Sequence, residues 1–345
     1  MDRGMSKTKR INLALQGGGS HGAYTWGALD ALLEDTRIEI AGVSGASAGA
    51  MNAVVMAFGL LAGGRAGARQ KLAEFWRKVS EEGAPSAGIP AIDAWVGVWK
   101  SILTPPSVVE AATESASPYE FNPLDLNPLE DTLSSVVDFS ELRKAAGPKL
   151  FIAATNVFTG KVSVFHREEL TPKHVMASAC LPHLFQAVVI DGEPHWDGGY
   201  SGNPPLWPLF YETDCQDNVI VQINPIERLT TPKTAEEINN RTNEITFNIG
   251  LLAELRAADF VARLIEDGVL KSDKYKRERL HRIGGDGKLE SYSADTKLDV
   301  SWTFLQKLRD LGRDSAKEWL AASFDKIGVA STLDLGRELR KPAVL

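Results

Sequence analysis

Ser47 sits in Gly45-Ala46-Ser47-Ala48-Gly49, just after the apolar run IEIAGV (38–43) and just before a long apolar stretch that begins at Met51. G-x-S-x-G between a strand and a helix is the pattern of a serine nucleophile held on a sharp turn. Gly45 and Gly49 remove side chains where the strand and helix pass close together, and glycine tolerates strained dihedrals. A serine there lies at a helix N-terminus, whose partial positive charge favours an alkoxide. The hydroxyl is a weak nucleophile on its own. It needs a base within hydrogen-bond reach and N–H donors for the oxyanion that forms on attack at a carbonyl. A buried turn of small residues is spelled the same way, so the other groups have to decide.

Gly17-Gly18-Gly19, after the short apolar run INLALQ (11–16), offers the donors. Successive glycine N–H groups can point into a cavity and let a substrate approach closely. This loop and the Ser47 turn both follow short strands expected to be parallel, which sets them side by side at the carboxyl edge of one sheet. The plainer alternative is a tight strand-to-helix turn without a ligand. For the base, Asp197 is best placed, at the end of a short strand in GEPHWDGG (192–199) with two glycines behind it. Asp-Gly is also a common turn former, and that role suits Asp191-Gly192 in the preceding hairpin. A Ser-Asp-His order would need a late histidine. Only His281 is available, in KRERLHRIGG (276–285), which reads as a solvated basic helix.

The elements that must position these groups alternate. Strands are expected at 11–16, 38–43, 149–157, 161–166, 187–190 and 218–224, with helices at 23–34, from the Ser47 turn to about 62, at 69–80 and at 171–179. Strand, glycine-rich turn and helix in repetition imply parallel strands with crossover helices. Residues 83–130 are punctuated by proline and serine and carry Trp95, Trp99 and Ile102 at helical spacing, which suggests an insertion over the sheet. From 234 onward the pattern is helical, with a further helix near 302–322. The expected organisation is a tail over 1–10, a catalytic α/β domain over 11–230 with a cap at 83–130, and a helical region over 231–345 packed on the same domain.

The chain has 345 residues, 38 basic and 45 acidic, for a net charge of −7, which argues against a nucleic-acid binder. A hydrophobic content of 43% is ample for a core. Two cysteines, Cys180 and Cys215, make no disulfide framework and fit a reducing compartment. They read as packing residues without metal-ligand spacing. No secretory signal is legible, and the apolar run from Met51 to Gly64 is shorter than the ~20 residues a bilayer crossing takes. The expected location is cytoplasmic, with at most peripheral membrane contact. The run KSDKYKRERLHR (271–282) is the basic cluster large enough to meet anionic lipid, as a solvated helix face.

Taken together, GGGSHG (17–22), GASAG (45–49) and DGG (197–199), in that order, resemble the patatin-like phospholipase family. ASACLPHLF (177–185) is similar to the family's segment leading to the acid, and the likeness extends through FNPLDLNPLEDTL (121–133) and the C-terminal helices, over most of the chain. The resemblance implies a three-layer α/β fold with a central, mostly parallel sheet between helices. It implies a Ser-Asp dyad without histidine, Ser47 as nucleophile and Asp197 as general base, with Gly17, Gly18 and Gly19 forming the oxyanion hole. An acyl-serine would form and be hydrolysed, the substrates would be lipid acyl esters, and no metal or cofactor would be required. Family members usually carry arginine or lysine where this chain has His21, a possible anion or substrate contact that is mostly neutral at neutral pH. That leaves neutral esters, lysolipids, short-chain polyesters and thioesters open. For Asp197 to serve as base, partial burial should raise its pKa.

Two other classes compete. Gly17-x-Gly19-x-x-Gly22 also fits a dinucleotide-binding oxidoreductase. The acid such a fold places near the end of its second strand is missing, since the strand ends in Gly42-Val43-Ser44-Gly45 and Glu39 lies at its start. A non-catalytic relative that binds lipid or a partner protein is the other.

Overall fold

The computed structural model describes residues 8–83, 117–144, 146–271, 274–284, 287–289, 292, 296–297 and 299–340. The expected helix carrying Trp95, Trp99 and Ile102, and with it most of the expected cap, lies outside the described residues. The strands are β1 (Lys9–Leu15), β2 (Ile38–Ala46), β3 (Lys149–Asn156), β4 (Val162–His166), β5 (Val188–Ile190), β6 (Glu193–Asp197), β7 (Asp217–Gln222) and β8 (Arg279–Gly284). β3, β2, β1, β7 and β8 run parallel in that order, while β4, β5 and β6 form the antiparallel pairings.

Side chains alternate across the sheet, and both faces are covered. Ile11, Leu13 and Leu15 of β1 and Val219 and Val221 of β7 face a core shared with α1 (Gly22–Glu34), α2 (Ala48–Gly83) and α9 (Trp302–Ser323). Ala14 and Ile220, one residue out of phase, face the other core with Leu206 and Leu209 near α7 (Trp207–Glu212) and Leu251 and Leu255 of α8 (Ala235–Glu266). The period of two is the pleat's own, and burial on both sides explains why these strands read as near-continuous apolar runs. The remaining helices are the short α3 (Pro118–Phe121), α4 (Pro128–Val136), α5 (Phe139–Lys144), α6 (Pro172–Ser178) and α10 (Leu335–Arg340). The protein is thus a three-layer α/β fold with a mostly parallel central sheet.

Two expectations change. The helix from Ser47 and the one at 69–80 are continuous in assignment, but Gly63 (φ −161°, ψ 26°) and Gly64 (φ 60°, ψ −150°) break helical geometry between them. The two arms fold against each other at Gly59, where a Cβ would come within 2.5 Å of the Ala68 Cα. By length and composition this helix is apolar enough to cross a membrane, with 61% of its most apolar window buried in the fold. Its apolar arm stops at the glycine pair, short of the ~20 residues a crossing takes.

The second change concerns the C-terminal region, which is not wholly helical. KRERLHRIGG contains β8, the end strand of the sheet, and His281 is fully buried in it. Its Nε2 lies 3.2 Å from Asp217 Oδ1 and its Nδ1 lies 3.0 Å from Thr332 Oγ1. The expected solvated basic face is largely used up by the fold. Lys276 donates to the carbonyls of Phe210 and Thr213, Arg277 pairs with Glu266, Arg279 with Asp217, and Arg282 with Glu338.

α1 and α9 cross with backbone against backbone. A Cβ on Gly312 would collide with the Tyr24 carbonyl, and one on Gly27 with the Arg309 carbonyl. Trp26 and Trp302 stack beside the crossing at 5.9 Å. Gly312→Ala is therefore expected to destabilise the protein by about 2 kcal/mol or more, since neither helix can retreat without opening the core. Urea unfolding of the variant checks this.

Candidate active site

Ser47 occupies the step from β2 to α2 with φ 53°, one of three non-glycine residues among those described with positive φ. That conformation is costly for serine, on the order of 1–3 kcal/mol, and it persists because the turn is held from several sides. Gly49 passes so close to the end of β1 that a Cβ would collide with the Leu15 carbonyl. The Ser47 N–H donates to both the carbonyl (3.1 Å) and Oγ (2.9 Å) of Ser178.

Asp197 reaches the same point through the sheet. β4 covers one edge of β3 from Phe151 to Thr155, so β6, which pairs with Ala154–Asn156, must lie on the edge that β2 occupies up to Ala153. Ala46 lies opposite Ala153 and Asp197 opposite Ala154. The last residue of β2 and the last residue of β6 therefore meet at adjacent positions along β3, and Ser47 follows directly. A Cβ on Gly198 would come within 3.2 Å of the Ala46 Cβ. One short segment braces both groups: Ser178 O accepts from Ser47 N–H, and Cys180 O accepts from Asp197 N–H at 2.7 Å. Thr155 Oγ1 also donates to the Asp197 carbonyl at 2.8 Å.

The Asp197 side chain is fully buried. Its Oδ1 accepts from Gly199 N–H at 2.7 Å, and its Oδ2 has no hydrogen-bond partner. Burial raises the carboxyl from 3.8 to about 7, opposed by the Gly199 N–H and then by the Ser47 hydroxyl. The hydroxyl is thus near enough to act on the acid while Oδ2 stays unbonded. No histidine bonds to either group among the described residues. His195 is turned away, with its nitrogens near Glu193 O (2.9 Å) and Ser163 Oγ (3.1 Å).

The glycine loop abuts the serine. A Cβ on Gly17 would lie 2.5 Å from the Ser47 Cβ, so only glycine fits. The Gly17 N–H, expected as one oxyanion donor, is already given to Asn203 Oδ1 at 2.7 Å. Among the described residues the Gly18 and Gly19 N–H groups have no acceptor. The loop is fixed by buried amides that sequence inspection did not single out. Gln16 Oε1 accepts from the N–H groups of Ile223 and Asn224, and Asn224 Nδ2 donates to Gly17 O at 2.7 Å. In the sequence these amides are scattered, Gln16 and Asn224 just past β1 and β7, Asn203 beyond β6 and Asn248 within α8, and nothing links residues so far apart.

His21 does not serve as a cationic contact. Its ring is buried at the N-terminus of α1, near Tyr292 and Phe304, with Nε2 2.8 Å from Thr296 Oγ1. Burial, then the nearby charges of Lys297 and Arg228, lowers its pKa from 6.5 to about 3, so the ring is neutral. Gly19 has φ 60°, and the space a side chain there would need is taken by the Lys297 backbone. Cys180 and Cys215 are buried thiols with raised pKa, and no group of metal-ligating side chains occurs among the described residues.

The patatin-like phospholipase family profile matches residues 13–210, which include all three motifs. No curated protein matches the chain. Among solved structures, VipD from Legionella pneumophila is similar at 15% identity and a TM-score of 0.41, covering 96% of this chain and 72% of that one. ExoU, in its heterodimeric complex with SpcU from the type III secretion system of Pseudomonas aeruginosa, is similar at 16% identity and a TM-score of 0.36. There the likeness covers 92% of this chain and 52% of that one.

Proposed function

Because the chain belongs to the patatin-like phospholipase family, we propose that it is a lipid acyl-ester hydrolase in which Ser47 and Asp197 act as a two-residue catalytic pair. The observation that carries this is the fully buried Asp197 carboxyl, with its Oδ2 unbonded and the Ser47 hydroxyl close enough to act on it, whose pKa of about 7 suits a base working at neutral pH. Ser47 Oγ attacks the acyl carbonyl, and its proton passes to Asp197 Oδ2. The Gly199 N–H keeps Oδ1 in place, so the carboxylate does not rotate as it takes the proton. The oxyanion forms against the glycine loop, where the Gly18 and Gly19 N–H groups and the N-terminus of α2 supply positive potential. Collapse expels the alcohol, which takes the proton back from Asp197, and leaves an acyl-serine. Asp197 then takes a proton from water, the resulting hydroxide adds to the acyl carbon, and Ser47 leaves with the returned proton.

Product analysis tests this. Incubation with dioctanoyl-phosphatidylglycerol and with dioctanoylglycerol should release octanoic acid from at least one of them, with the phosphodiester of the first left intact. Release of the headgroup, or no release of acid from either, would count against the reading.

A further inference from the structure

A segment from the last fifth of the chain is fastened to the glycine loop. Ser20 Oγ donates to Thr296 O at 2.9 Å, His21 Nε2 lies 2.8 Å from Thr296 Oγ1, and Gly19 packs on the backbone of Lys297. The fastening delivers an ammonium group to the loop. Lys297 Nζ donates to Asn224 Oδ1 at 2.8 Å, and Nδ2 of the same amide holds Gly17 O. A Cβ on Gly18 would lie 3.5 Å from that Oδ1. The charge is therefore one side chain away from the loop, and the loop's first residue abuts Ser47.

This charge lacks a matching partner. The carboxylate that acts on it, Glu244, is already shared by Arg228 at 2.6 Å and Arg241 at 3.1 Å. Among the described residues no carboxylate lies within ion-pair distance of Lys297, and only one of its three N–H groups is used. Burial, against the pull of Glu244 and with the push of Arg228, lowers its pKa from 10.5 to about 8. The residue as a whole is half-buried. A desolvated cation without a counter-charge is unfavourable, and an entering anion would relieve it.

We propose that Lys297 is the contact for the anionic group of the substrate, the phosphate of a glycerophospholipid whose acyl ester faces Ser47. The assignment rests on the hydrolase reading above. With His21 neutral, the positive charge beside the glycine loop comes from residue 297, brought there by the fold rather than by the motif.

Two substrates with the same acyl chains separate charge from the rest: anionic dioctanoyl-phosphatidylglycerol and neutral dioctanoylglycerol. In Lys297→Met the ratio of their kcat/KM values, anionic over neutral, is expected to fall at least about tenfold, mainly through KM, and Lys297→Arg should restore most of it. An unchanged ratio, including equal losses on both substrates, would mean that Lys297 only props the loop, and would overturn the assignment. Calorimetry on a Ser47→Ala background reads the contact without catalysis. There Lys297→Met should weaken binding of dihexanoyl-phosphatidylglycerol at least about tenfold, and equal binding would overturn the proposal. Inorganic phosphate that binds as tightly as the lipid and displaces it would make this a free-anion site and overturn it too. A wild type that hydrolyses neither lipid defeats the hydrolase reading, while the binding measurements still decide on Lys297.

Discussion

Ser47→Ala is expected to lower kcat/KM on an acyl ester at least ~10³-fold without unfolding the protein, because the nucleophile has no substitute. Alanine at 47 keeps the main-chain bonds to Ser178 and the start of α2, which depend on the backbone alone. It inherits the same φ of 53°, so the strain neither grows nor vanishes. Ser47→Gly makes the complementary case. It should be as inactive as Ser47→Ala yet more stable, by about 1 kcal/mol or somewhat more, because glycine adopts positive φ without penalty. An inactive, stabilised glycine variant would show that the strain serves the hydroxyl's placement. Ester hydrolysis and thermal unfolding of the two variants check both halves. A Ser47→Ala protein with wild-type activity would move the chemistry elsewhere.

Asp197→Asn is expected to lose most activity, at least ~10²-fold, and to gain stability. The asparagine still accepts from Gly199 N–H and removes a buried ionisable group, but it takes no proton from Ser47. The wild-type rate should rise about tenfold per pH unit up to about 7 and level off above it, because the base must be ionised to act. The stability effect has the opposite sense. Asp197 has a folded pKa above its unfolded value of 3.8, so its ionisation costs nothing below 3.8. The cost grows between 3.8 and about 7 and is full above that. Its ceiling is roughly 4 kcal/mol. The Tm advantage of Asp197→Asn should therefore be greatest above pH 7 and close as the pH falls towards 4. Melting curves of both proteins across that range, beside their pH–rate profiles, measure the trade between stability and activity at one atom pair. A Tm difference that does not vary with pH would contradict the buried, shifted carboxyl.

The strands, turns and crossover helices around Ser47 were legible because each is local: an apolar run, then glycines, then helical periodicity. Asp197 was legible for the same reason, as an acid at a strand end with two glycines behind it. What brings it to Ser47 was not. The replacement of β2 by β6 along one edge of β3, and the brace from Ser178 and Cys180, are pairings between elements that are not neighbours in the chain, and β2 to β3 and Ser47 to Ser178 each span more than a hundred residues. The differences between pattern and structure have a common physical origin. KRERLHRIGG reads as a solvated helix because its charges dominate the pattern, yet their partners lie on other elements and the segment forms the end strand of the sheet. His21 stands in the motif where a contact is expected, whereas its burial is set by Tyr292, Phe304 and Thr296, nearly the whole chain away. Gly17 reads as an oxyanion donor from its place in the glycine run, while the fold gives its N–H to Asn203. Burial and partners are properties of the fold, and the residue types alone do not carry them.

The most direct measurement is covalent labelling with a fluorophosphonate, read by peptide mass spectrometry on wild type and Asp197→Asn. The account predicts a single phosphonylated site at Ser47 in the wild type, formed at a rate that rises with pH to about 7, and labelling at least ~10²-fold slower in Asp197→Asn. Label on another residue, or equal rates in the two proteins, would contradict the pairing of Ser47 with Asp197.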